Sequence, residues 1–220
     1  MIVKPTRILC YAAKWLGERK MHFRIEHDPD FLEQIYNMVD EADAIIHYNG
    51  KSFDMKHLNR EFLLGGYPPP NPYTDIDLLK TMRQNFKMAS NKLEWVSLQL
   101  GYDGKVKHRG IQLWFDCMDD DPKAWKEMKK YNIQDVKLLE QVYKDLLPWI
   151  KGHPNWGHYI ESDALVCRNC GSTNVTLNGI EKSTIVPYQR YRCGECKKPL
   201  RGRKKVLEID GKRLPQPSTV

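Results

Sequence analysis

No stretch of the 220 residues sustains the ~18 apolar residues a membrane helix needs. A membrane partner is therefore not expected. The opening Met1-Ile2-Val3-Lys4-Pro5 has no apolar core behind a basic start, so it does not read as a signal peptide. Cysteine is sparse, and its use is uneven: four of the six cysteines fall in two Cys-x-x-Cys pairs. In a cytosolic chain that pattern reads as zinc rather than as disulfides. Acidic residues are outnumbered, 28 against 35 lysines and arginines, for a formal charge of +7 and a pI near 9.0. That balance suits a polyanionic partner. Hydrophobic residues at 41% suit a globular protein with one good core and a small appendage.

The chain is organised around His47-Tyr48-Asn49-Gly50-Lys51-Ser52-Phe53-Asp54. The apolar run Ala44-Ile45-Ile46 ends in this polar turn. Met55, Leu58, Phe62 and Leu63 then follow at helical spacing. The order is strand, tight turn, helix, with Asp54 where the helix begins. A carboxylate so placed can hold a hard cation, but on this residue alone the simpler reading is a helix cap. Further on, Tyr131-Asn132-Ile133-Gln134-Asp135 lies in a helical pattern from Pro122 to about Leu147. Tyr131 and Asp135 are one turn apart and share a helix face. An acid and a phenol there can flank one reacting group, or belong to an ordinary amphipathic helix.

Together these stretches resemble motifs two and three of the DEDDy 3′-5′ exonucleases, the DnaQ-like branch of the ribonuclease H superfamily, with YprB-type members nearest. Motif two, Asn-x-x-x-Phe-Asp, is matched by Asn49, Phe53 and Asp54; motif three, Tyr-x-x-x-Asp, by Tyr131 and Asp135. The resemblance covers residues 1–150 and implies a ribonuclease H-like α/β fold, a mixed sheet with flanking helices. It implies two divalent ions, Mg²⁺ or Mn²⁺, ~3.5–4 Å apart, holding the attacking water and the departing 3′ oxygen. Asp54 and Asp135 would be metal ligands, and Tyr131 would orient the water. Asn49 and Phe53 would place the terminal nucleotide, and Lys51 would approach its phosphate. The implied substrate is nucleic acid, single-stranded DNA foremost, and the implied setting is the cytoplasm of a bacterial cell or a phage-infected host. A replication or repair protein is a further expected partner.

The family opens with a strand carrying Asp-x-Glu, which supplies two of its four acids and the middle strand of its sheet. No Asp-x-Glu lies upstream of Arg7. Glu18 falls in a turn, and Asp75 and Asp77, although two apart, come after motif two. The expectation is half a metal site and a sheet without its central member. Three accounts are open: a longer reading frame, a separate chain that supplies the strand, or an inactive relative that only binds nucleic acid.

Along the rest of residues 1–150, Arg7–Trp15 reads as a strand and Met21–Ile25 as its return. Asp30–Met38 reads as a helix, and Asp43–Tyr48 as the strand before motif two. Thr74–Leu79 reads as a strand or short helix. A helix through Leu93, Val96, Leu98 and Leu100 is stopped by Gly101. This alternation argues α/β. The loop Gly104-Lys105-Val106-Lys107-His108-Arg109-Gly110 is placed just before the last long helix. Its Lys107 and Arg109 can clasp a phosphate backbone, and the same loop also reads as solvated surface. Asp119-Asp120-Asp121-Pro122 reads as a helix start.

Residues 151–162 read as a linker, 163–206 as a zinc ribbon and 207–220 as a disordered tail. Cys167 and Cys170 form one knuckle, Cys193 and Cys196 the other, with 22 residues between the pairs. Four thiolates complete a closed structural zinc site without His153 or His158. Asn178-Gly179 reads as a hairpin turn, flanked by strand residues Val175, Leu177, Ile185 and Tyr191. Arg190, Arg192, Lys197, Lys198, Arg201, Arg203, Lys204 and Lys205 crowd the module. Tyr188 and Tyr191 interleave among them, able to stack on bases.

Overall fold

Among the described residues, two short ladders and six α-helices make up the first part of the chain. The computed structural model describes residues 6–103, 109–161, 164–182, 186–206, 208–209 and 212–213. The basic segment 104–108, with Lys105, Lys107 and His108, lies outside the described residues, as does Ile185. The chain divides into two compact units, Met1–Leu146 and Leu147–Val220. No helix among the described residues is long and apolar enough to cross a membrane.

In the first unit β1 (Cys10–Ala13) and β2 (His22–Ile25) pair antiparallel, with Cys10 opposite Ile25. The strand is shorter than the expected Arg7–Trp15. Helix α1 (Phe31–Glu41) follows. Then come β3 (Ala44–His47), α2 (Asp54–Leu64) and β4 (Thr74–Asp77), with β3 and β4 parallel and in register from Ala44–Thr74 to His47–Asp77. The stretch read as strand or helix after Thr74 is both: β4 passes directly into α3 (Leu78–Asn85), because Asp77 caps it by accepting from the Leu79 and Lys80 amides. α4 (Leu93–Gln99), α5 (Ile111–Met118) and α6 (Pro122–Leu146) complete the unit.

α5 corrects the sequence reading, which placed the basic loop immediately before the long helix. The intervening helix buries Leu113 and Cys117, four residues apart, against Ala124 and Met128 of α6. The long helix itself starts as expected: Pro122 opens it, and Asp121 accepts from the Lys123 amide at 2.9 Å.

Strand alternation sorts β1 between two helical layers. Tyr11 and Ala13 face Ile35, Val39, Met55 and Phe62 of α1 and α2. Cys10 faces Leu113, Cys117 and Met128 of α5 and α6. Ile45 of β3 packs into the same α1–α2 core as Tyr11. Yet β1 is paired with β2 and β3 with β4, and the two ladders remain separate sheets. This is the mixed α/β arrangement expected, with its sheet in two pieces.

The second unit is a three-stranded antiparallel sheet, β5 (Val175–Lys182), β6 (Pro187–Cys193) and β7 (Pro199–Lys205), in that order. Asn178-Gly179 is not the hairpin turn the sequence reading took it for. It lies inside β5, where the register with β6 slips between Leu177 and Ile180. Gly179 has φ +75°, the left-handed backbone that a bulge needs and that glycine adopts without strain. Further on, Glu208–Ile209 (β8) pairs with Lys212–Arg213 (β9), in the stretch read as a tail.

Candidate functional site

The turn between β3 and α2 is held from beneath. His47, at the end of β3, is 8% exposed, and its Nδ1 accepts the Gly50 amide at 3.1 Å. That acceptor role leaves the ring proton on Nε2, which lies 3.3 Å from Asp75 Oδ1. Asp77 Oδ1, besides capping α3, accepts the Asn49 amide at 3.0 Å. Asn49 itself takes the left-handed conformation (φ 68°, ψ 10°), which asparagine tolerates better than most residues. Tyr48 is tied off through its hydroxyl to the Asn91 carbonyl at 2.6 Å. Burial pushes its phenol up to about 12. His47 and Asp77 thus fix this turn, with Asp75 beside the His47 ring. Sequence reasoning weighed both aspartates and set them aside, and no residue spacing announced the role of His47.

Above this base the turn presents its polar side to solvent. Asn49 and Lys51 are exposed. Phe53 is 60% exposed, with its ring against His57 at 4.6 Å. Asp54 is the first residue of α2 and is exposed; Phe53, not Asp54, occupies the cap position, and no side chain caps the helix. The cap reading of Asp54 is therefore not realised.

Tyr131 and Asp135 are both half-buried on α6. Tyr131 meets Trp114 of α5 edge-on at 6.1 Å. Asp135 Oδ1 is out of reach of water, unlike the solvated acid of an ordinary amphipathic helix. Next to them Asn132 donates to the Met128 carbonyl at 3.0 Å and to Cys10 Sγ at 3.6 Å, which fixes the helix against β1. Lys107 lies outside the described residues. Arg109 is engaged within the protein, with Asp116 at 2.6 Å and Glu127 at 3.2 Å.

Among the described residues, the group of three or more acidic, histidine or cysteine ligands that converges within 4.8 Å is the four cysteines. Asp54 and Asp135 do not belong to such a group. Two carboxylates alone do not fit a two-cation centre, which needs more anionic oxygen than they supply.

The four cysteines do fit zinc. Cys167 Sγ lies 3.7 Å from Cys196 Sγ, and Cys170 Sγ lies 3.6 Å from Cys193 Sγ. A tetrahedral ion with Zn–S of ~2.3 Å sets sulfurs about 3.8 Å apart, whereas a disulfide would bring them to ~2.05 Å. Cys167 and Cys193 are fully buried. Burial also works against the Cys193 thiolate, but the amides of Cys196 and Glu195 hold its pKa below the ordinary thiol value. Cys170 is pushed up by burial. The knuckles are braced by backbone hydrogen bonds, Gly171 to Cys167 at 2.7 Å and Cys193 to Lys198 at 3.1 Å. His153 is turned to the Pro154 carbonyl at 2.8 Å, in keeping with an all-cysteine set.

Helices on either side of short ladders make this an α/β unit, with an acid at the head of α2 and a phenol and acid on α6. Residues 14–147 match the RNase_H_2 family of the RNase H superfamily, and the chain belongs to it. The matched stretch contains Asn49, Lys51, Phe53, Asp54, Tyr131 and Asp135 and stops before the first zinc knuckle. Among curated proteins, none matches the chain.

Proposed function

We propose that the chain is a metal-dependent 3′-5′ exonuclease of the DEDDy type, which hydrolyses nucleic-acid phosphodiester bonds from the 3′ end. The observation that carries this reading is the pair of stations within one RNase H-like unit. Asp54 heads α2, exposed and uncommitted to a cap, while Tyr131 and Asp135 stand one turn apart on α6. With further acids completing the centre, Asp54 and Asp135 would be carboxylate ligands to a divalent cation, which would supply a water of lowered pKa and offset developing charge. Tyr131 orients the water through its hydroxyl; an ordinary phenol, with pKa ~10, keeps its proton at neutral pH and so is not itself the base. The exposed Phe53 ring stacks against the terminal base, Asn49 positions the sugar, and Lys51 offsets the charge of the phosphate.

The other carboxylates then come from outside the described residues. We assign them to an extended segment of a second chain that adds to these ladders. Both strands face the α1–α2 core without pairing to each other, and an unpaired edge accepts a strand through its backbone groups. A 5′-labelled single-stranded oligonucleotide, incubated with Mg²⁺ or Mn²⁺ and the protein with that segment, should shorten stepwise from its 3′ end. Asp54→Ala and Asp135→Ala should abolish shortening. Tyr131→Phe should lower kcat about 100-fold with little change in KM. Full activity in both aspartate variants overturns the assignment.

The two-carboxylate count favours one other reading, a nucleic-acid-binding relative without turnover. It predicts salt-dependent binding and no shortening under any metal.

A further inference from the structure

The ribbon sheet has two unlike faces. Directly opposed residues in an antiparallel ladder share a face, and residues two apart on one strand do as well. Tyr188, Arg190 and Arg192 of β6 therefore lie together. Their partners on the neighbouring strands join them: Thr176 opposite Arg192, Glu181 opposite Tyr188, and Arg201 opposite Arg190. The other face carries Gln189, Tyr191 and Cys193 with Val175, Leu177 and Leu200. Tyr188 and Tyr191, alike in sequence, are thus separated, and only Tyr188 sits with the arginines.

Arg190, Arg192 and Arg201 are all exposed. Like charges set directly opposite each other across a ladder are unfavourable, and Arg190 faces Arg201 in that way. Among the described residues one ion pair tempers the face, Arg201 to Glu181 at 3.6 Å. The guanidinium groups are also pre-positioned. Arg190 Nε donates to the Asn178 carbonyl at 2.8 Å, an acceptor that the β5 bulge turns toward it. Arg192 Nη1 donates to the Lys197 carbonyl at 3.4 Å. Arg201 lies over the Tyr188 ring, 4.8 Å from its centroid. Each guanidinium keeps further N–H donors for a ligand, and an arginine set over a tyrosine ring gives an unpaired base aromatic and guanidinium surface to stack on.

We propose that this face, formed by Tyr188, Arg190, Arg192 and Arg201, is a binding site for single-stranded nucleic acid. The clustered arginines take successive phosphates, which relieves their mutual repulsion. The Arg201–Tyr188 stack takes an unpaired base, a contact that a duplex with its bases stacked inside does not offer. An acidic peptide would meet the charge but leave the stack unused. The site deepens the exonuclease reading by naming the substrate form, but it does not depend on cleavage.

The test uses the full chain with zinc bound and fluorescently labelled single-stranded oligonucleotides, without Mg²⁺ or Mn²⁺, read by anisotropy across a salt series. Binding without later cleavage would sink the exonuclease reading alone. Arg190→Ala/Arg192→Ala/Arg201→Ala should weaken binding at least ~30-fold and reduce the salt slope by about 2, three phosphates at ~0.7 each. Tyr188→Ala should weaken it about 10-fold with the slope unchanged. Leu177→Ser, on the opposite face, should bind as the parent does. Zinc content and circular dichroism check that each variant is folded. Because a folding failure of the triple variant would mislead, the Arg→Lys triple variant is measured alongside; it should keep the salt slope and lose affinity. The proposal is overturned if folded arginine variants bind like the parent, if duplex binds as tightly as single strand, or if an acidic peptide competes while oligonucleotides do not.

Discussion

A single methyl group on Gly50 would collide with the histidine beneath it. A Cβ there would lie 2.6 Å from His47 Cγ and 2.9 Å from its Cβ, closer than packed atoms approach. Gly50→Ala should cost about 1–3 kcal/mol, read as a lowered Tm. It should also displace the Asn49–Asp54 turn, so that the nuclease rate proposed above falls by more than the loss of folded protein explains. The two remaining cysteines show another residue-scale effect. Burial, with Cys117 and Glu26 nearby, pushes Cys10 up to about 12. Burial, with Asp116 nearby, pushes Cys117 up to about 11. At pH 8 both are thiols, not thiolates, so a maleimide should leave them unmodified in the folded chain and label them only on unfolding. Neither the His47–Gly50 contact nor the Asp77 cap was legible in the sequence. A ring under a glycine leaves no periodicity, and an acid at a strand end looks the same whether it binds a cation or a helix.

At the scale of elements, α6 is the best-supported part of the first unit and was the easiest to foresee. Proline at its start and apolar residues at helical spacing announced it, and Leu138, Val142 and Met128 prove fully or almost fully buried. Leu138→Ala should cost about 2–5 kcal/mol, measured by denaturant titration. α5 escaped notice because Arg109-Gly110 before it and Asp119–Asp121 after it are strong punctuation, and the eight residues between them were given no element. Asn178-Gly179 misled for the opposite reason. It is a good turn pair, but the left-handed glycine serves a bulge as well as a hairpin. Glu140 links elements: it pairs with Lys14, just past β1, and with Lys144 at 2.9 Å. Burial works to raise its pKa, but the two lysines hold it below the ordinary value. The stabilisation is thus present at neutral pH and is lost as pH falls through the acid range; Glu140→Gln should flatten that acid limb of the stability curve.

For the whole molecule, the division at Leu146 predicts two separable responses. With zinc on the four cysteines, so small a core would lean on the metal, and a strong chelator should unfold the ribbon while the helical circular dichroism of the first unit persists. Alkali should act on the first unit instead. Burial holds Cys10, Tyr11 and Tyr48 up at about 12, against ordinary values of 9.0 and 10.0. The unfolded chain therefore gives up these protons first. Their contribution to stability, complete below pH 9, should be lost as pH rises toward 12.

The split of the sheet into two ladders also bears on how the molecule breathes. A strand flanked on both sides keeps its amide protons for as long as the fold survives; one with a bare margin surrenders them through small local openings. Deuterium should therefore enter β1 and β3 well before the middle of α6. Should an extended peptide ever pair with them, the same amides would become the slowest in the unit, an isotopic signature of docking that needs no assay of turnover.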